Sequence, residues 1–196
     1  MNIASGRQAI VPTLLGTRDT GTFLTKAFLV LAGSAVIALA AHIQVPFWPV
    51  PATLQTLAIF VIAAAYGRNL AVLTVLAYLA EGAVGLPVFA KGGGLAYFAG
   101  PTAGYLAGFV IAAAITGAAA DRGWAGNPFK LFGANLAGEM VILLLGAGWI
   151  AIAFGMEKAF AWGVGPFILT DLIKIALASA LIPALSMIIR RFLNRS

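Results

Sequence analysis

The chain has 196 residues, 62% hydrophobic and only 9% charged, with a net charge of +6 and a mean hydropathy of +1.01. A soluble domain carries roughly 25% charged residues and leaves about a third of its chain area exposed, so composition excludes a water-soluble fold and makes lipid the main solvent. The absence of cysteine excludes disulfides, zinc–thiolate sites and thiol nucleophiles, and the basic balance is assigned to loops facing anionic lipid rather than to nucleic acid.

Residues 1–26 are polar and mixed, with Arg7, Arg18, Asp19 and Lys26, and read as a cytoplasmic tail with a short surface helix around Ile10 to Leu15. No cleavable signal peptide is expected, because the first long apolar run starts only near Ala27. That run, Ala27 to Ile43, is long enough to span a thin membrane. It stops at VPFWPVP, where three prolines within residues 46–51 forbid a continuing helix. A second run, Thr53 to Tyr66, ends at Gly67, Arg68 and Asn69. The third, Leu70 to Leu79, gives way to the glycine-rich EGAVGLPVFAKGGGLAYFAGP, and these two short runs could also be merged into one hairpin. The fourth runs from about Thr102 to Ala120 and the fifth from Leu131 to Phe154. The sixth opens at Gly165-Pro166, a helix-starting pair, and reaches about Ile189. The expectation is one all-α membrane domain of about six transmembrane helices over residues 27–190, followed by a cytoplasmic C-terminal tail, 191–196.

Charge sets the orientation. Arg7, Arg18, Lys26, Arg68, Arg122, Lys130, Arg190, Arg191 and Arg195 fall on the tail side of six spans, and only Lys91 and Lys158 on the other. Nine against two is a strong positive-inside bias, so both termini are expected in the cytoplasm.

The twelfth basic residue, Lys174, sits inside the sixth span, PFILTDLIKIALASALIPALSMII, three residues after Asp171 and on the same helical face. Each charge costs about 2.5–3.5 kcal/mol at the bilayer centre, so both should face the bundle interior. One reading is an internal ion pair that cancels itself. The other is a polar ligand site in the outer third of the helix, reachable from outside, since intramembrane charges are functional by default. Two irregular segments, Val45 to Gln55 and Glu81 to Gly100, lie on that outer face. They carry Phe47, Trp48, Phe89, Tyr97, Phe98 and the Gly92-Gly93-Gly94 triplet, and read either as a lid over a small pocket or as interfacial anchors. Gln55, Tyr78, Glu81, Asn135 and His42 are further polar candidates, His42 as an exposed interfacial residue. Glu139 reads as a helix-bridging group before a ligand contact. Ser34 and Ala38 form a small-xxx-small pair suited to close helix packing. No phosphate-binding loop is present, so energy from ATP has to come from a partner. A single His without Cys argues against a metal site or a catalytic dyad.

HIQVPFWPVPATLQTLAIFV and EGAVGLPVFAKGGGLAYFAGPTAGYLAGF, together with GPFILTDLIKIALA, resemble the BioY family, the substrate-binding S components of energy-coupling-factor (ECF) transporters. PVPATLQ, GLPVF and GPTAGYLAGF are the most specific parts, and the resemblance covers roughly residues 27–190. It implies a six-helix S-component fold, high-affinity biotin capture from outside, and partnership with a transmembrane coupling subunit and two cytoplasmic ATPases. It implies no cofactor and no enzymatic turnover. It also implies ligand contact by the D-x-x-K pair, Asp171 and Lys174; the fuller substrate-binding set expected here adds Phe47, Trp48, Gln55, Tyr78, Phe89, Gly93 and Tyr105. The family's helix-one motif is alanine-based, and Ser34 and Ala38 depart from it. A lysine can pair with biotin's carboxylate and an aspartate can accept from a ureido N–H. The sequence leaves open which residue meets which end; the expectation taken forward is Lys174 at the carboxylate. The alternatives are an S component for another vitamin, a channel or secondary carrier, which would call for inverted repeats, and an intramembrane enzyme acting on lipid with Asp171 as acid or base.

Overall fold

The computed structural model describes residues 23–193, with side chains as far as residue 188. The expected surface helix at Ile10 to Leu15 and the basic side chains of Arg7, Arg18, Arg190, Arg191 and Arg195 lie outside the described residues. Among the described residues seven α-helices follow one another: α1 (Phe23–His42), α2 (Gln55–Tyr66), α3 (Arg68–Ala83), α4 (Ala103–Asp121), α5 (Pro128–Phe154), α6 (Met156–Gly163) and α7 (Ile168–Leu193). Each of the six apolar runs becomes a helix. Among them α1, α4, α5 and α7 are long and apolar enough to cross a membrane, and α2 is a shorter apolar helix.

The second and third runs are two helices, not one. Gly67 between them holds φ at 79°, a conformation that side chains resist, and this turns the chain back at the tail-side end. The Asp121 carboxylate at the end of α4 accepts from the Arg68 backbone N–H at 3.0 Å, tying this turn to the next helix. Beyond α1 the proline-rich stretch forms a small antiparallel hairpin of β1 (Gln44–Val45) and β2 (Ala52–Thr53), with Gln44 opposite Thr53. The Leu54 N–H then donates to the Ala40 and Ile43 carbonyls, so the hairpin folds back over the end of α1.

Lipid offers no hydrophobic drive between helices, so close backbone approach through small residues has to hold the bundle together. Along α4, Gly104 and Gly108 serve this role: an added Cβ would run into the Leu145 carbonyl or the Ile142 backbone of α5. On α1 the closest approach falls one residue before the expected pair, at Gly33, where a Cβ would meet Thr74. Ser34 is buried there and donates to Glu81 at 2.8 Å. Deeper in the bundle Thr116 donates to Asn135, Asn135 to Ser179, and Ser179 to the Ile175 carbonyl, at 3.0, 3.0 and 2.7 Å. That chain joins α4, α5 and α7 with its polar groups satisfied internally.

The sixth span differs from expectation. After α5 the short helix α6 runs back along it, with Gly163 packed against Ala147 and Ile150, and α7 opens only at Ile168. Asp171, in the first turn of α7, faces Glu139 in the middle third of α5. Asp171 and Lys174 thus fall in the first third of α7, as expected, and meet α5 near its middle.

Candidate ligand-binding site

A cavity of about 540 Å³, open mouth included, lies between the hairpin, the loop after α3, and helices α2, α4, α5 and α7. Its polar end is built by α5 and α7. Lys174 Nζ donates to Asp171 Oδ1 at 2.7 Å, and both side chains are almost fully buried. The Asp171 backbone N–H is used by the Phe167 carbonyl at 2.8 Å, which extends the helical pattern into the preceding turn. Glu139 enters from α5 beside this pair.

The walls are apolar and aromatic. Tyr105 turns its ring to the cavity and to Phe167, 5.8 Å away, while its hydroxyl donates at 2.7 Å to the Gly163 carbonyl. The phenol therefore fixes the end of α6 and leaves the ring as the lining surface. Phe89 closes another side and is held in an aromatic cluster, with ring centroids 5.4 Å from Tyr78, 4.6 Å from Tyr97 and 5.7 Å from Phe98. This placement needs glycine at 82, because any Cβ there would enter the Phe89 ring. In that loop, burial pushes the Tyr97 phenol above its ordinary value, so it stays an O–H donor. Gln55, at the first position of α2, has its amide oriented by its neighbours: Thr53 Oγ1 donates to Oε1 at 2.8 Å, and Nε2 donates to Tyr78 Oη at 2.6 Å. Tyr78 in turn donates to the Val88 carbonyl at 3.1 Å.

Of the substrate-binding set expected from sequence, Asp171, Lys174, Gln55, Phe89 and Tyr105 line the cavity. Tyr78 stands one layer behind, fully buried, and supports Gln55 and Phe89. Gly93 is also behind the wall, where a Cβ would strike the Leu86 carbonyl; it allows the loop its tight path. Phe47 and Trp48 are outside the wall, on the rim. Trp48 is 75% exposed and stacks edge-on against Trp162 at 5.1 Å, whereas Val50 and Pro51 of the same loop line the cavity. Glu139 and Thr56 are wall residues outside the expected set. The signal for Glu139 was its charge within an apolar span. Thr56 gave none. Two cations mark the mouth end: Lys91 Nζ donates to the Pro49 carbonyl at 3.3 Å, and Lys158 lies over the Trp162 ring at 4.9 Å.

The fold defines the class first. The chain superposes on the S-component for biotin from an ECF-type ABC transporter, with a TM-score of 0.70 over 84% of this chain and 94% of that one, at 24% sequence identity; the architecture is that of an S component. Sequence gives the family: the BioY family profile matches residues 12–191, and the chain belongs to that family. Among similar proteins, the probable biotin transporter BioY of Pyrococcus horikoshii is 39% identical over 74% of this chain and 85% of its own length. The biotin transporter BioY of Thermotoga maritima is 37% identical over 77% and 90%. That of Rhizobium etli is 36% identical over 85% and 92%.

Proposed function

We propose that this membrane protein captures biotin from the outer side of the cytoplasmic membrane and serves as the substrate-specific component of an ECF transporter. The observation that carries the reading is the cavity itself, an apolar, aromatic-walled pocket whose inner end holds Asp171, Lys174 and Glu139, in a chain whose relatives are biotin transporters by name. Biotin is a fused, largely apolar bicycle with a cyclic urea at one end and a carboxylate on a flexible chain at the other. Two carboxyl groups beside one ammonium disfavour a ligand carboxylate at the inner end. The same groups suit a urea, whose two N–H groups need acceptors and whose carbonyl needs a donor. The urea therefore goes inward and the carboxylate towards the mouth and Lys91, which reverses the sequence-based expectation for Lys174. Gln55, Phe89 and Tyr105 then bear on the bicycle, Tyr78 and Gly93 hold the wall, and Phe47 and Trp48 border the entrance.

The orientation rests on charge. Arg68, Arg122 and Lys130 border the turns at one end of the bundle, and Lys91 and Lys158 the other, where the cavity opens. With the tails 1–26 and 191–196 on the basic side, both termini are cytoplasmic. The chain carries no phosphate-binding loop, so concentrative uptake draws on a transmembrane coupling subunit and two ATPases. Reversible binding, rather than turnover of a lipid, is the activity. The test is uptake of labelled biotin by cells stripped of their own biotin transport. Expression of this chain with a coupling module should restore uptake at nanomolar biotin, and failure to restore it with the protein present in the membrane would refute the proposal.

A further inference from the structure

The Asp171–Lys174 ion pair leaves one carboxyl group over. Glu139 is 3% exposed and reaches the cavity from the middle of α5. Its Oε2 has no hydrogen-bond partner among the described residues. A buried acceptor left unpaired is costly and rare. Glu139 meets Asp171 on the neighbouring helix α7, as a helix-bridging group would, and that contact leaves its Oε2 without a partner. The polar chain of Thr116, Asn135 and Ser179 nearby is closed on itself. A second atom shares the condition of Glu139: Thr56 Oγ1 is also buried without a partner, and it too belongs to a wall residue of the same cavity. Both unpartnered side-chain polar atoms found among the described residues thus belong to the place where a ligand would sit.

The geometry points to Glu139 as a specificity-determining ligand contact, whose Oε2 accepts one ring N–H of a cyclic urea while Asp171 accepts the other. This rests on the reading of the cavity as a biotin site. A cyclic urea carries an N–H on each flank of its carbonyl. An inner end that holds one ammonium and two carboxyl groups supplies one donor and two acceptors for that pattern, with Lys174 donating to the carbonyl. Asp171 and Lys174 alone would satisfy only one N–H and the carbonyl, and the second N–H would be buried unpaired. Glu139 therefore distinguishes a doubly N–H-bearing ring from analogues that have lost one donor.

The test uses the purified full chain in detergent, with biotin and the two ring N-methyl biotins, each blocking one N–H. In the parent both derivatives should bind more weakly than biotin. Glu139→Ala, which also opens room for a methyl group, should weaken biotin by at least about tenfold, or 1.4 kcal/mol. It should also shrink the penalty of one derivative, and only that one, to within about threefold. Glu139→Gln keeps the shape and supplies a check should the alanine variant not fold. It exchanges one carboxyl oxygen for an amide N–H donor, so the same derivative should lose part of its penalty. Biotin binding unchanged in both variants, with both methyl penalties intact, would overturn the inference while leaving the biotin site standing. A parent chain that does not bind biotin would remove the underlying reading and this inference together.

Discussion

Replacing Lys174 by methionine removes the ammonium that lies 2.7 Å from Asp171 Oδ1 and leaves a carboxylate almost wholly buried beside a second acid. Breaking one side of such a pair costs about 3–5 kcal/mol where the other charge stays buried. If a ligand also relies on the lost partner, binding falls by roughly 2–5 kcal/mol, at least about thirtyfold at 1.4 kcal/mol per decade. Asp171→Asn should behave alike. The assay is biotin titration of each purified variant, with thermal unfolding in the same detergent to confirm a folded bundle. Biotin methyl ester then reports the orientation. With the urea inward, the ratio of ester to biotin affinity should be unchanged by Lys174→Met and altered by Lys91→Met. A ratio that follows Lys174 would place the carboxylate at the inner end. A folded D171N/K174M double variant that binds biotin within a few-fold of the parent would refute a ligand role for the pair and leave only the self-cancelling ion pair.

Tyr105→Phe deletes the 2.7 Å bond to the buried Gly163 carbonyl; it should lower stability by about 1–3 kcal/mol, read as a fall in melting temperature, with the ring's contribution to the cavity retained. Gly146→Leu drives a side chain into the Tyr105 ring and should cost about 1–3 kcal/mol of overpacking or more, together with loss of biotin binding. A cysteine placed at Lys158 should react with an impermeant reagent applied to intact cells, and one at Arg122 should not; the reverse pattern would invert the topology. The purified single chain should show no ATP hydrolysis, measured as phosphate release.

The bundle was legible because its helices are written in apolar runs and their ends in Pro, Gly and charge. Gly67 with Arg68 separated α2 from α3, and the prolines at 46, 49 and 51 ended α1 as expected. The helix α6 was not legible. It turns back along α5 at Gly155, whose φ of 98° no apolar period announces, before α7 opens at Ile168. The packing that follows brings Glu139 beside Asp171 and into the cavity wall. The proline-rich loop shows a related limit. Phe47 and Trp48 are the conspicuous residues, yet the hairpin's pairing directs Val50 and Pro51 to the cavity and leaves Trp48 at the rim. Aromatic content marks such a loop, and its fold-back decides which side chains face inward.

The most direct measurement is equilibrium binding of labelled biotin to the purified chain alone, without coupling subunit or ATPases. Saturable binding of one biotin per chain is expected, displaced by unlabelled biotin and not by thiamin or riboflavin. Absence of saturable binding by folded protein, or tighter capture of another vitamin, would contradict the assignment of this cavity to biotin.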